Sequence, residues 1–168
     1  MVLQRASHFL KPCLPSKVDR PPSGLQWVHE IKHDGYRLMV RRDGPRVRCF
    51  TRKGHDWLSS IVDAASRSKA ASFLIDGEAV VVSDDGRPDF HALRTRRNGH
   101  AVVLYAFDLI EHNGDDLRGL PLLHRKRRLA SLLGRGQRRA MRFVEHLNAD
   151  GATVYGYVCH MGARGHRV

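Results

Sequence analysis

The chain has 168 residues, 29 of them Lys or Arg against 17 Asp or Glu, for a formal net charge of +12 and a pI near 10.5. A hydrophobic fraction of 42% suits one soluble domain with a core of its own, and no apolar run approaches the ~20 residues of a membrane span or forms a signal peptide. The positive balance points to a polyanionic partner, nucleic acid or a nucleotide, and to work inside the cell.

In chain order, residues 1–26 are interrupted by Pro12, Pro15, Pro21, Pro22 and Gly24 and read as an extended lead-in along the surface. Residues 27–31 and 36–42 read as strands, Asp43-Gly44 as a hairpin turn, and 46–51 as the strand that pairs back. Trp57, Leu58, Ile61, Val62 and Ala65 recur at helical spacing, which predicts an amphipathic helix over 56–68. A long strand follows at 72–83, then a turn at Asp84-Asp85-Gly86 and a short helix at 90–94. Residues 101–110 are the most hydrophobic stretch and read as a central strand, closed by the turn Asn113-Gly114. A basic helix at 120–133 has Pro121 in its first turn and Gly134 at its end. A short strand at 141–145 and a helix at 148–161, with Asp150 near its start, complete the order. Hairpin signals without regular βαβ alternation predict an α+β domain with mostly antiparallel sheets flanked by helices. Cys13, Cys49 and Cys159 stand far apart with no CxxC pair and are expected to be buried small hydrophobes.

Four segments carry residues suited to chemistry. Lys32 lies in Glu30-Ile31-Lys32-His33-Asp34-Gly35-Tyr36-Arg37, on a strand entering a tight turn. A lysine in a strand is usually a solvated charge; it becomes a nucleophile where positive charge or desolvation favours its neutral amine. The turn at Asp34-Gly35 would let a ligand approach the backbone, and Arg37 would return to the same pocket. Thr51-Arg52-Lys53-Gly54 by itself reads as an exposed basic turn. Asp76-Gly77-Glu78 places two carboxylates in an otherwise apolar strand, where buried charge requires a partner such as ribose hydroxyls or Mg²⁺. Phe107, in Tyr105-Ala106-Phe107-Asp108-Leu109, reads either as core or as a face on which a purine stacks.

Together and in this order, these segments resemble the nucleotidyltransferase (adenylation) domain of ATP-dependent DNA ligases, of the bacterial and end-joining type. Lys32-His33-Asp34-Gly35-Tyr36-Arg37 matches the family's KxDGxR motif. The segments 51–57, 76–78 and 104–109 match the elements that follow it, and Pro88-Asp89-Phe90 and the basic helix also fit. The likeness runs from about residue 9 to 161. It implies an ATP-grasp-like nucleotidyltransferase fold, with a lead-in at 1–26 and the domain at 27–162. In the roles it implies, Lys32 attacks the α-phosphate of ATP and holds AMP as a phosphoramidate, while Glu30 and the backbone at Ile31 read the adenine edge. Arg37 contacts the ribose or the nick, Arg52 neutralises phosphate charge, Glu78 binds the ribose hydroxyl and helps hold Mg²⁺ or Mn²⁺, and Phe107 stacks on adenine. AMP then passes to the 5′-phosphate of nicked double-stranded DNA in repair or recombination. The implied setting is bacterial cytoplasm at the nucleoid. A non-catalytic DNA- and ATP-binding module, or a related RNA ligase or capping-type nucleotidyltransferase, is the alternative.

The likeness stops at Met161-Gly162. There the family continues Leu-Glu-Gly-Ile-Val-Ser, with a metal-placing glutamate, then a Lys-x-Lys pair and an OB-fold domain; this chain reads Ala163-Arg164-Gly165-His166-Arg167-Val168. One coding of the family pattern, read with an extra G in front, translates as these six residues, so a one-base frameshift is the expected origin of an aberrant tail at 163–168. Loss of the last strands would then expose the central sheet and leave self-adenylation weak or absent, with no nick sealing.

Overall fold

The computed structural model describes residues 10, 12–14, 16, 18–33, 35–51, 59–82, 102–134, 140–160 and 166–167, with Val158, Cys159, His166 and Arg167 described in backbone only. The turn at 84–86, the short helix at 90–94, Pro88-Asp89-Phe90 and Arg52 with its following residues lie outside the described residues.

The elements run β1 (Glu30–Ile31), β2 (Tyr36–Asp43), β3 (Arg46–Thr51), α1 (Ser59–Ser66), β4 (Ser72–Val81), β5 (Val102–His112), β6 (Asp115–Asp116), α2 (Leu122–Leu133), β7 (Met141–Phe143), α3 (Gly151–His160) and β8 (His166–Arg167). Six strands form one sheet in the order β3-β2-β4-β5-β6, with β7 also on β5. All its pairings are antiparallel except β5–β7, which is parallel. The fold is α+β, as expected. The first strand is shorter than its predicted span of 27–31, because only Glu30 and Ile31 find ladder partners, and Trp27 is left exposed.

The turns form where local chemistry demands them. Gly44 takes φ 57° between the paired ends Asp43 and Arg46. Asn113 and Gly114 take φ 51° and 92° between His112 and Asp115, the two positive values of a type I′ hairpin. Helix α2 begins after Pro121 and ends at Gly134, whose φ of 73° is one that glycine adopts without strain. The carboxylate of Asp150 accepts the amides of Ala152 (3.1 Å) and Thr153 (3.3 Å), capping α3.

One face of the sheet carries the core. Leu38, Val40, Phe73, Ile75, Leu104 and Leu109 join Ile61, Ala64 and Ala65 of α1 and Leu129 and Leu133 of α2. Burial of each large side chain contributes about 1.5–3 kcal/mol. The period of two then turns Arg37, Asp76, Glu78, Tyr105 and Asp108 to the opposite face, where the chemistry gathers.

One expectation is corrected here. The central strand is not laid open: all ten residues of β4 are buried. The backbone of β8 pairs antiparallel with β1, Arg167 opposite Glu30 and His166 opposite Ile31. Of the cysteines, Cys49 is buried as expected but Cys13 is exposed; the Cys159 side chain lies outside the described residues.

Candidate active site

Lys32 is solvent-exposed and directly follows β1. The loop it occupies is fastened to the polar face of the sheet on its C-terminal side. The amide of Gly35 donates to Glu78 Oε1 at 3.1 Å. The imidazole of His33 stacks on Tyr105, with ring centroids 3.8 Å apart and planes 18° from parallel. Tyr105 and Glu78 are themselves register partners on β5 and β4, so both fastenings grip one spot of the sheet.

Gly35 is required here by space. A Cβ on it would lie 2.3 Å from the carbonyl oxygen of Ala79 and 2.8 Å from Val80 Cγ2. The close approach predicted for this glycine is therefore made by the backbone of β4.

Glu30, two residues before Lys32, is buried. Its Oε1 accepts a hydrogen bond from Lys126 Nζ at 2.5 Å. Lys126 is 1% exposed, also donates to the carbonyls of Val144 (2.7 Å) and Phe107 (3.4 Å), and has its ammonium 4.7 Å from the Phe143 ring centroid. Ile31 is partly buried.

Phe107 lies on the polar face two residues beyond Tyr105, beside a break in the ladder. Asp76 pairs with Asp108 and Gly77 with Ala106, so Phe107 is the extra residue of a bulge in β5. A bulge places consecutive side chains on one face, and Phe107 and Asp108 do both lie on the polar side. Asp108 accepts a bidentate pair from Arg125 of α2, at 2.8 and 3.0 Å. The Arg37 guanidinium lies 4.7 Å from the Phe107 ring centroid and is held by both oxygens of Asp76, at 2.6 and 2.7 Å. Burial works against the charge of Arg37, but the hydrogen bonds and charge of Asp76, with Glu78 adding to them, raise its pKa above the ordinary value.

The two buried carboxylates that seemed to need an outside ligand are thus met within the protein: Asp76 by Arg37, and Glu78 by the Gly35 amide. Among the described residues no three His, Cys, Asp or Glu side chains converge as a metal site. Beside these groups lies a cleft of about 460 Å³, lined by Cys13, Arg37, Asp76, Phe107, Asp108 and Arg125, with others. Of the sequence-predicted residues, Lys32, Glu30, Arg37, Glu78 and Phe107 cluster around the loop and the β4–β5 ladder, and Arg52 lies outside the described residues. Sequence reasoning missed Lys126, Tyr105 and Arg125. Lys126 had a signal: it continues the buried helical row of Leu129 and Leu133, and a lysine on such a row needs a buried anion.

The family model described as ATP dependent DNA ligase domain matches residues 16–155. The chain belongs to this family. The multifunctional non-homologous end joining protein LigD of Pseudomonas aeruginosa is 37% identical over 163 residues, which is 94% of this chain and 19% of that protein. A DNA ligase of Natronomonas pharaonis is 38% identical over 121 residues, 64% of this chain and 22% of the relative. A mycobacterial DNA ligase D complexed with ATP and MES superposes with a TM-score of 0.67 at 29% identity, covering 83% of this chain and 46% of that one. The chain therefore spans about a fifth of the first relative and under half of the solved ligase. Within the ATP-dependent DNA ligase family, a family of enzymes, the KxDGxR segment of this chain is the one fastened on Glu78 and Tyr105. No helix among the described residues is long and apolar enough to cross a membrane.

Proposed function

We propose that this chain is the adenylation segment of an ATP-dependent DNA ligase of the end-joining type, with Lys32 as the AMP acceptor. The observation that carries this reading is the fastening of the Lys32 loop: Gly35 on Glu78 and His33 on Tyr105, with Phe107 on the same face of β5 as Tyr105. The neutral amine of Lys32 attacks the α-phosphorus of ATP. A P–N bond forms, the bond to the bridging oxygen breaks, pyrophosphate leaves, and the amine proton passes to solvent. Glu30 reads the adenine edge with the backbone at Ile31, Phe107 stacks on the base, Glu78 takes the ribose hydroxyl, and Arg37 and Arg52 meet phosphate or nick charge. Positioning and charge neutralisation provide most of the acceleration. Mg²⁺ or Mn²⁺ would be held by substrate phosphates with Glu78, the usual manner for a cation with few protein ligands, and would neutralise developing charge. The AMP is destined for the 5′-phosphate of nicked double-stranded DNA, in cytoplasmic repair or recombination at the nucleoid.

A non-catalytic ATP- and DNA-binding remnant is the second reading, favoured by Ala163-Arg164-Gly165 standing where the family carries Leu-Glu-Gly. The experiment that separates the two is incubation with α-labelled ATP and Mg²⁺ or Mn²⁺, followed by a denaturing gel. The ligase reading expects weak covalent label that disappears in Lys32→Ala. Salt-sensitive DNA binding without any label supports the remnant, and label that survives Lys32→Ala overturns the assignment of Lys32.

A further inference from the structure

We propose that Lys126 is a positioning residue that fixes the carboxylate of Glu30 and through it sets the preference for adenine over guanine, an inference that rests on the nucleotide reading of the Lys32 site. Among the described residues the ladder of strand β1 is with β8, in a two-stranded sheet of their own, so that ladder does not tie it to the six-stranded sheet. Lys126 supplies a tie. From α2 its ammonium reaches Glu30 on β1, the carbonyl of Phe107 at the bulge and the carbonyl of Val144 just after β7. One buried cation thus links the strand that leads into the proposed nucleophile to the aromatic proposed to stack on the base. Its three donors meet three acceptors, which fixes where the ammonium sits.

The consequence lies in the geometry at Glu30. Oε1 is committed to Lys126, while Oε2 takes no hydrogen bond from any described residue. A carboxylate is acceptor-only, so an oriented Oε2 suits the exocyclic N6 amine of adenine and opposes the O6 acceptor of guanine. Sites that use a buried polar group in this way discriminate strongly, because the wrong base leaves that group unpaired. Lys126 touches no nucleotide in this scheme. It acts by removing the orientational freedom of Glu30 and by neutralising a charge that burial would otherwise penalise.

The test measures ATP and GTP binding to the full chain with Mg²⁺ by equilibrium dialysis, for wild type, Lys126→Met, Lys126→Gln, Glu30→Gln and Glu30→Gln/Lys126→Met, with thermal unfolding of each. The wild type is expected to prefer ATP, and each Lys126 variant to narrow the ATP:GTP ratio about tenfold. Glu30→Gln should narrow it similarly, and the double variant no further, since both residues act through one contact. Lys126→Gln guards against misfolding, because its amide still donates toward Glu30 and Val144. A folded Lys126 variant with the wild-type ratio overturns the proposal. So does loss of folding in both Lys126 variants, which would make the residue purely structural. A wild type that binds ATP and GTP equally also overturns it. A wild type that binds neither brings down the nucleotide reading itself, and this proposal with it.

Discussion

Arg37 and Phe107 lie against one another, the guanidinium 4.7 Å from the ring centroid, and Asp76 holds Arg37 there through both carboxylate oxygens. The ring proposed to receive adenine therefore already has a cation on it, and Asp76 decides how firmly that cation stays. Replacing Asp76 by Ala leaves a partly buried guanidinium without its anion. The expected loss is about 2–3 kcal/mol in urea unfolding, below the range for a fully buried pair because Arg37 keeps contact with water. Asp76→Leu with Arg37→Met, which removes both charges, should recover most of it.

Phe107 presents its ring on the polar face two residues beyond Tyr105, next to the bulge that brings Asp108 to the same face. Phe107→Leu keeps an apolar side chain in the bulge but removes the aromatic face, and ATP affinity should fall about tenfold. Phe107→Tyr should retain most of the affinity. Equilibrium dialysis with ATP checks both; equal affinity for the Leu and Tyr variants would show that the ring does not stack on the base.

Gly35 tolerates no side chain, since its Cβ would meet the Ala79 carbonyl oxygen at 2.3 Å. Gly35→Ala should cost about 1–3 kcal/mol of stability and lift the Lys32 loop from Glu78. Covalent labelling by ATP should fall further than the melting temperature alone accounts for. Labelling with α-labelled ATP, normalised to the folded fraction, measures this.

The net charge of +12 includes Arg127 and Arg128, both exposed on α2. If nicked DNA is the partner, its affinity should fall steeply with salt, and each of Arg127→Ala and Arg128→Ala that removes a phosphate contact should flatten the log–log slope by about 0.9. Fluorescence anisotropy over a salt series gives the slope directly.

What the sequence disclosed and what it hid divide along a physical line. Asp43-Gly44, Asn113-Gly114, Pro121 and Gly134 announce their turns and helix ends because the backbone conformations are local. The strands at β2, β3, β4 and β5 show through alternation or hydrophobicity, and the KxDGxR segment drew Lys32, Glu30, Glu78, Arg37 and Phe107 into one site. Partnerships across the chain were not legible. The Glu30–Lys126 pair spans 96 positions and Gly35–Glu78 spans 43, and no local pattern encodes such distances. The bulge at Phe107 was hidden because an unbroken hydrophobic run looks the same whether or not one residue steps out of register. The parallel β5–β7 pairing and the β1–β8 pairing were hidden for the same reason: short strands take their partners from tertiary packing.

The central claim is that Lys32 accepts AMP. It is tested most directly by joining residues 1–160 to the corresponding downstream segment of the Pseudomonas aeruginosa LigD ligase region, incubating with ATP and Mg²⁺, and locating the adenylyl group by peptide mass spectrometry. The account predicts AMP on the peptide that contains Lys32, and none in Lys32→Ala. A folded chimera that binds ATP but carries AMP on another residue, or on none, would contradict it.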